Sequence, residues 1–215
     1  MSIVSEISSF LQQGRMAKVK ELVQQALDEG VGAKAILEEG LLDGMGIVGE
    51  KFKNNEVFVP EVLIAARAMN AGVLLLKPYL VDAGVENKGK AVIGTVKGDL
   101  HDIGKNLVKL MLEGKGLEVV DLGVDVSAEK FVQAAVENQA QVICCSALLT
   151  TTMNEMKNVV ETLKAQGLHG KIKIMVGGAP ITQHYCDTIG ADAYTADAAS
   201  AADAALALCK ELKGA

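Results

Sequence analysis

Up to about residue 84, apolar residues recur every three or four positions, the period of helices with one buried face. A short helix is predicted over "SEISSFLQQ", ending near Gly14. A second covers "MAKVKELVQQALDEG", with Val19, Leu22, Val23, Ala26 and Leu27 on one face. A third runs from Ala33 to Phe52, with Leu37, Leu41, Val48 and Phe52 as its stripe. The fourth opens near Pro60, a favoured first-turn residue, and repeats Val62, Ala66, Met69, Val73, Leu76 and Leu80. Pro78 is expected to bend or shorten its end. Four helices with short joins predict an antiparallel bundle.

The segment "VDAGVENKGK" is polar and glycine-bearing, and reads as a linker. Beyond it the period changes. Short β-branched runs, "AVIGTV", "LEVVDLG", "QVICCSAL", "KIKIMVGG" and "ADAYTA", alternate with helical stretches near 104–115, 128–138, 153–166, 181–189 and 198–213. Alternating βα units predict a parallel sheet covered on both faces, in a Rossmann-like or flavodoxin-like order. The expected architecture is α plus α/β: a four-helix-bundle cap domain over residues 1–88 and a five-stranded α/β domain over 89–215.

Composition narrows the function. Half of the residues are hydrophobic, Trp is absent, and the formal net charge is −6, which argues against a broad nucleic-acid face. No run of about 18 apolar residues stands out as a membrane span. The start "MSIVSEISSFLQQGR" lacks the basic and apolar regions of a signal peptide, so a cytoplasmic protein is expected. Cys144, Cys145, Cys186 and Cys209 form no CxxC, and small buried core residues are the expectation for Cys144 and Cys145.

In an open parallel sheet the ligand lies beyond the carboxyl ends of the strands. Those ends carry "GDLHDIG", "SALLTTT", "GGAP" and "TADAAS", loops rich in glycine and hydroxyl residues. His101 is the chemical centre, because Asp99 stands two residues before it. An imidazole that binds a metal through one nitrogen commonly donates its other N–H to a carboxylate. One histidine and one aspartate cannot alone build a metal site of three or four ligands. A metal carried in a macrocycle, with its coordination shell mostly filled, meets that shortage. Asp102 and Lys105 read as first-turn charges of the following helix, and Met45, Met69, Met153 and Met156 as packing residues.

The segment Asp99-Leu100-His101-Asp102-Ile103-Gly104 resembles the D-x-H-x-x-G signature of cobalamin-binding proteins. Ser146-Ala147-Leu148 matches S-x-L, and Gly177-Gly178 the paired glycine. "LLDGMGIVGEKF" and "VFVPEVLIAARAM" resemble the helical cap that precedes this domain in methionine synthase and in the corrinoid proteins of methyltransferase systems. The resemblance implies that His101 replaces the cofactor's dimethylbenzimidazole as the lower cobalt ligand, with Asp99 bonded to it. Thr152 stands where the relay's serine is found in methionine synthase; its added methyl leaves a direct bond to Asp99 open. Gly98, Leu100, Asp102, Ile103 and Gly104 shape the histidine loop, while Ser146, Leu148, Thr150, Gly177, Gly178 and Ala198 fall where the nucleotide tail would thread. Phe52, Val59 and Val62, with Glu38 as a polar neighbour, would cover the upper face of the corrin.

The implied function is a methyl carrier cycling between methylcobalamin and Co(I). It would exchange methyl groups with a substrate-specific methyltransferase and a second methyltransferase acting on tetrahydrofolate or a thiol, with a reductive activator as a possible further partner. Methanol, methylamines, glycine betaine and methoxylated aromatics are all open as donors. Two alternatives are a cobalamin-dependent sensor module and a cobalt-free receiver-like domain using Asp99. The second leaves His101, Ser146 and the double glycine unexplained.

Overall fold

The hydroxyl of Ser2 accepts the Ser5 amide at 3.3 Å and so caps the first helix, α1 (Ile3–Gln12). The computed structural model describes residues 2–82 and 87–214, and the chain divides into two units, Met1–Glu86 and Asn87–Ala215. In the first unit α2 (Met16–Asp28) buries Val19, Leu22, Val23 and Ala26, as its period predicts.

The third helix departs from expectation. It runs as α3 (Ala33–Ala35), a π-helical segment (Ile36–Leu42) and α4 (Asp43–Lys53). The widened turn lets the Asp43 amide donate to the Glu38 carbonyl, five residues back. Two glycines lie against α1 here: a Cβ on Gly40 would meet Ile7 at 3.2 Å and one on Gly44 would meet Ser8 at 3.1 Å. The wide turn also shifts the stripe. Ile36, Leu41, Leu42, Met45 and Val48 are buried, whereas Leu37 and Phe52 are half-buried.

Helix α5 (Val59–Asp82) carries Pro60 in its first turn, where the Glu61 carboxylate accepts the Phe58 amide at 2.9 Å. Pro78 lies inside it and does not end it, since the helix continues to Asp82. Val59–Leu80 has the length and composition of a membrane-crossing helix, with mean hydropathy 1.5, which corrects the expectation that no such run exists. Val62, Ala65, Ala66, Met69 and Leu76 on it are nevertheless buried, and Arg67 and Lys77 are exposed along it.

The expected linker is shorter than drawn, because helix reaches Asp82 and strand begins at Gly89; residues 83–86 of it lie outside the described residues. The second unit holds β1 (Gly89–Thr95), α6 (Ile103–Gly114), β2 (Leu117–Asp121), α7 (Ala128–Glu137), β3 (Val142–Ser146), α8 (Asn154–Ala165), β4 (Lys173–Gly177), α9 (Gln183–Ile189), β5 (Ala193–Tyr194) and α10 (Ala198–Gly214). The strands are all parallel, in the order β2-β1-β3-β4-β5, which is the flavodoxin-like order. The order reverses between β1 and β3, so the loops leaving those strands flank the switch point. Strand β5 has two residues where six were expected, since its neighbours serve loops: Asp192 accepts the Ile174 amide at 2.8 Å and the Thr195 hydroxyl turns to the Asp197 carbonyl at 3.4 Å. All four cysteines are buried, and burial pushes the Cys144 thiol up to about 12.

Lys105 is not a surface charge of the first turn. It is 3% exposed, and its ammonium donates to both Asp121 oxygens, at 2.7 and 2.8 Å. Asp121 also accepts the Gly123 amide at 3.0 Å. Burial pushes the Asp121 carboxyl up, but the hydrogen bonds from Lys105 and Gly123 and the charges of Lys105 and Lys109 outweigh it and hold it below the usual carboxylate range. A depressed folded-state value stabilises the fold above the unfolded carboxylate range, near pH 4, and that contribution is lost as pH falls through the folded value. Asp121→Asn is therefore expected to lose less stability than the parent between about pH 6 and about pH 3 in urea titrations, having no carboxylate to protonate. Lys105→Met, which strands Asp121 without its buried partner, is expected to cost roughly 2 kcal/mol at neutral pH. Parallel acid sensitivity of Asp121→Asn and parent would refute the coupling.

Candidate functional site

Three strands end flush at the switch point. Thr95 of β1 pairs with Ser146 of β3, which pairs with Gly177 of β4, so three loops start at one level. The first turns tightly through Gly98, which has φ +78°, with the Asp99 amide donating to the Val96 carbonyl at 3.1 Å.

This turn drives the Asp99 side chain inward until it is fully buried. Each carboxylate oxygen is then engaged. Oδ1 accepts the His101 amide at 3.1 Å and faces His101 Nδ1 at 2.7 Å. Oδ2 accepts the amides of Leu148 at 2.8 Å and Leu149 at 3.2 Å, and the Thr152 hydroxyl at 2.9 Å. The Thr152 bond that the extra methyl left open is thus formed. Its methyl packs beside Gly98, where an added Cβ would lie 3.5 Å from Thr152 Cγ2, an ordinary contact.

Burial pushes the Asp99 carboxyl up, yet the Leu148 amide, the ring and amide of His101 and the Thr152 hydroxyl together hold it well below the usual carboxylate range. Asp99 is therefore an anion at neutral pH and has no proton to give. It follows that His101 Nδ1 carries a hydrogen and donates it to Asp99, so Nε2 is the ring nitrogen that this bond leaves available to a metal. The His101 side chain is half exposed, while the carboxylate beneath it is sealed.

Around this imidazole the loop is apolar and open. Leu100 is 71% and Ile103 78% exposed, and Leu148 is exposed on the facing loop. Gly98, Asp102, Gly104 and Thr150 are also exposed, with Asp102 accepting the Asn106 side-chain amide at 3.1 Å. Ser146 is half-buried at the end of β3. A Cβ on Gly177 would meet nothing within 4 Å, so open space lies beside it. Gly178 differs: at φ +133° its backbone lies so close to the next loop that a Cβ would sit 1.8 Å from the Ala147 carbonyl oxygen. Ala198 is buried at the start of α10. Phe52, Val59 and Glu38 are half-buried in the helical unit, and Val62 is fully buried.

The Leu149 amide belongs to the site although no motif marks it, because a backbone donor leaves no trace in residue type. Among the described residues no group of three or more His, Cys, Asp or Glu side chains could hold a metal ion. One oriented nitrogen above an open apolar surface suits a planar metal macrocycle and not a protein-only site.

A fixed histidine at the switch point of a flavodoxin-like sheet, following a helical unit, defines a cofactor-binding α/β protein. Residues 89–208 match the model of the B12 binding domain, and residues 4–77 match a second B12 binding domain model. The chain belongs to the B12-binding family, and its cofactor is cobalamin. It is 41% identical to a corrinoid protein of Desulfitobacterium hafniense, over 100% of this chain and 99% of that one. It is 44% identical to dimethylamine corrinoid protein 3 of Methanosarcina acetivorans, over 98% and 96%. Among solved structures, the methanol:cobalamin methyltransferase complex of Methanosarcina barkeri matches with a TM-score of 0.87 and 31% identity, covering 97% of this chain and 80% of that one.

Proposed function

We propose that this protein is the methyl-carrying corrinoid subunit of a methyltransferase system, with His101 as the lower ligand of cobalt. The observation that carries this is the hydrogen bond of His101 Nδ1 to a carboxylate already held by four other donors, which fixes a half-exposed ring with Nε2 as its available nitrogen. Bound cobalamin would supply a cobalt centre able to take up a methyl group and pass it on. The protein's part is to hold that centre. Asp99 fixes the tautomer and orientation of His101, and Thr152 with the Leu148 and Leu149 amides keeps Asp99 ionised and in place. Leu100 and Ile103 offer apolar surface to the corrin, and Gly98 in the loop and Gly104 in the first turn of α6 leave its approach unobstructed. Ser146, Thr150 and the open side of Gly177 would receive the nucleotide tail, with Leu148 and Ala198 nearby in the same set of loops.

Phe52, Val59 and Glu38 would form the cover of the upper face, whereas Val62 is fully buried and has no surface to offer it. Partners follow from the carrier role: a methyltransferase that loads the protein, a second that unloads it onto tetrahydrofolate or a thiol, and a reductive activator. The similarity to a dimethylamine corrinoid protein makes methylamines the first donors to test.

His101→Ala is expected to weaken cobalamin binding by roughly a hundredfold. In the cobalt(II) form, protein carrying 15N-labelled histidine should show the label in the axial nitrogen splitting by electron paramagnetic resonance, and His101→Ala should lose it. An unlabelled splitting in the parent, from the cofactor's own base, would overturn the assignment.

A further inference from the structure

Asp99 ties the His101 ring to the β3–α8 loop, and two further contacts tie the backbone of the same turn to β1 and to the segment after β2. Thr95, the last residue of β1, is fully buried, and its hydroxyl donates to the His101 carbonyl at 2.8 Å. Asp125, between β2 and α7, grips the same loop twice. Its carboxylate accepts the Gly98 amide at 2.7 Å, and its own amide donates to the Asp99 carbonyl at 3.1 Å. It does so at φ +53°, a left-handed conformation that is costly for a residue with a side chain. The Val126 amide bonds the Thr95 carbonyl at 3.0 Å, which fastens the Asp125 loop to the end of β1.

Gly98, Asp99 and His101 are thus held by hydrogen bonds that never touch the imidazole. We propose that Thr95 and Asp125 are positioning residues that set the height and direction of His101 for its metal through the backbone. The inference rests on His101 being the axial ligand. Releasing either clamp would leave the Asp99 bonds to the β3–α8 loop and to the imidazole in place but free the backbone of the turn to shift about them, so the clamps and the Asp99 network contribute separately.

The test is a mutant cycle read by equilibrium binding of hydroxocobalamin and by the 15N-histidine splitting of the cobalt(II) form. Thr95→Val keeps the shape and removes the donor; it should weaken binding about tenfold and diminish the histidine splitting. Thr95→Ser should restore both. Asp125→Gly removes the acceptor while relieving the left-handed strain, so it should weaken binding with little change in melting temperature. In a His101→Ala background all three should alter binding by less than about twofold.

Equal losses in both backgrounds, or full binding and splitting in Thr95→Val and Asp125→Gly alike, would overturn the positioning role. If the parent itself lacks the histidine splitting and binds like His101→Ala, the axial-ligand assignment has failed instead, and the two failures are distinct.

Discussion

Asp99→Ala is expected to destabilise the protein by about 3 kcal/mol, measured by urea unfolding without cofactor, and to abolish histidine-on cobalamin binding. The carboxylate is fully buried and accepts from the Leu148, Leu149 and His101 amides and the Thr152 hydroxyl, besides its bond with the His101 ring. Alanine leaves those donors facing a void. The ring can turn to water because it is half exposed, and the Thr152 hydroxyl keeps the Leu149 carbonyl at 3.0 Å, so the loss falls on the amides of Leu148, Leu149 and His101. Asp99→Asn should fall between, since one carboxamide oxygen serves one side while its NH2 meets donors on the other. A loss below about 1 kcal/mol for the alanine variant would show that the network contributes little.

The two glycines of the pair should respond in opposite ways. Gly178→Ala is expected to cost about 4 kcal/mol or to prevent folding, because a Cβ would sit 1.8 Å from the Ala147 carbonyl oxygen and φ is +133°. The clash is with backbone, so relief requires moving the β3 loop that carries the Leu148 and Leu149 amides. Gly177→Ala, with nothing within 4 Å of the new methyl and no positive φ, should change stability by less than about 1 kcal/mol. Its cost should appear in cobalamin affinity, if the nucleotide tail uses that space. Thermal melts of the apo variants beside binding isotherms separate the two; equal melting temperatures for Gly178→Ala and the parent would rule out the close approach.

The change from a three-to-four-residue period to short β-branched runs was enough to place a helical unit before a βα unit, because burial of one face is a local consequence of residue spacing. The five strands and their helices fall near the expected positions, with β5 shorter than drawn. The π turn at Ile36–Leu42 coincides with the close approach of Gly40 and Gly44 to α1, a contact that no spacing within one helix encodes. The burial of Lys105 likewise depends on a tertiary contact. Its partner, Asp121, is 16 residues away at the end of β2, and only the folded chain shows that the charge is buried and matched.

At the site, the sequence determined the Asp99–His101 pair, because two residues in one tight turn can reach each other whatever the rest of the chain does. Tertiary structure decided what stands behind that pair. Thr152 lies 53 residues beyond Asp99, and it arrives because β1 and β3 are neighbours in the sheet, ending in register at Thr95 and Ser146. The amides of Leu148 and Leu149 come with the same adjacency. Backbone donors are common to nearly all residues, so their role depends on strand order and loop path, which hydrophobic spacing does not fix.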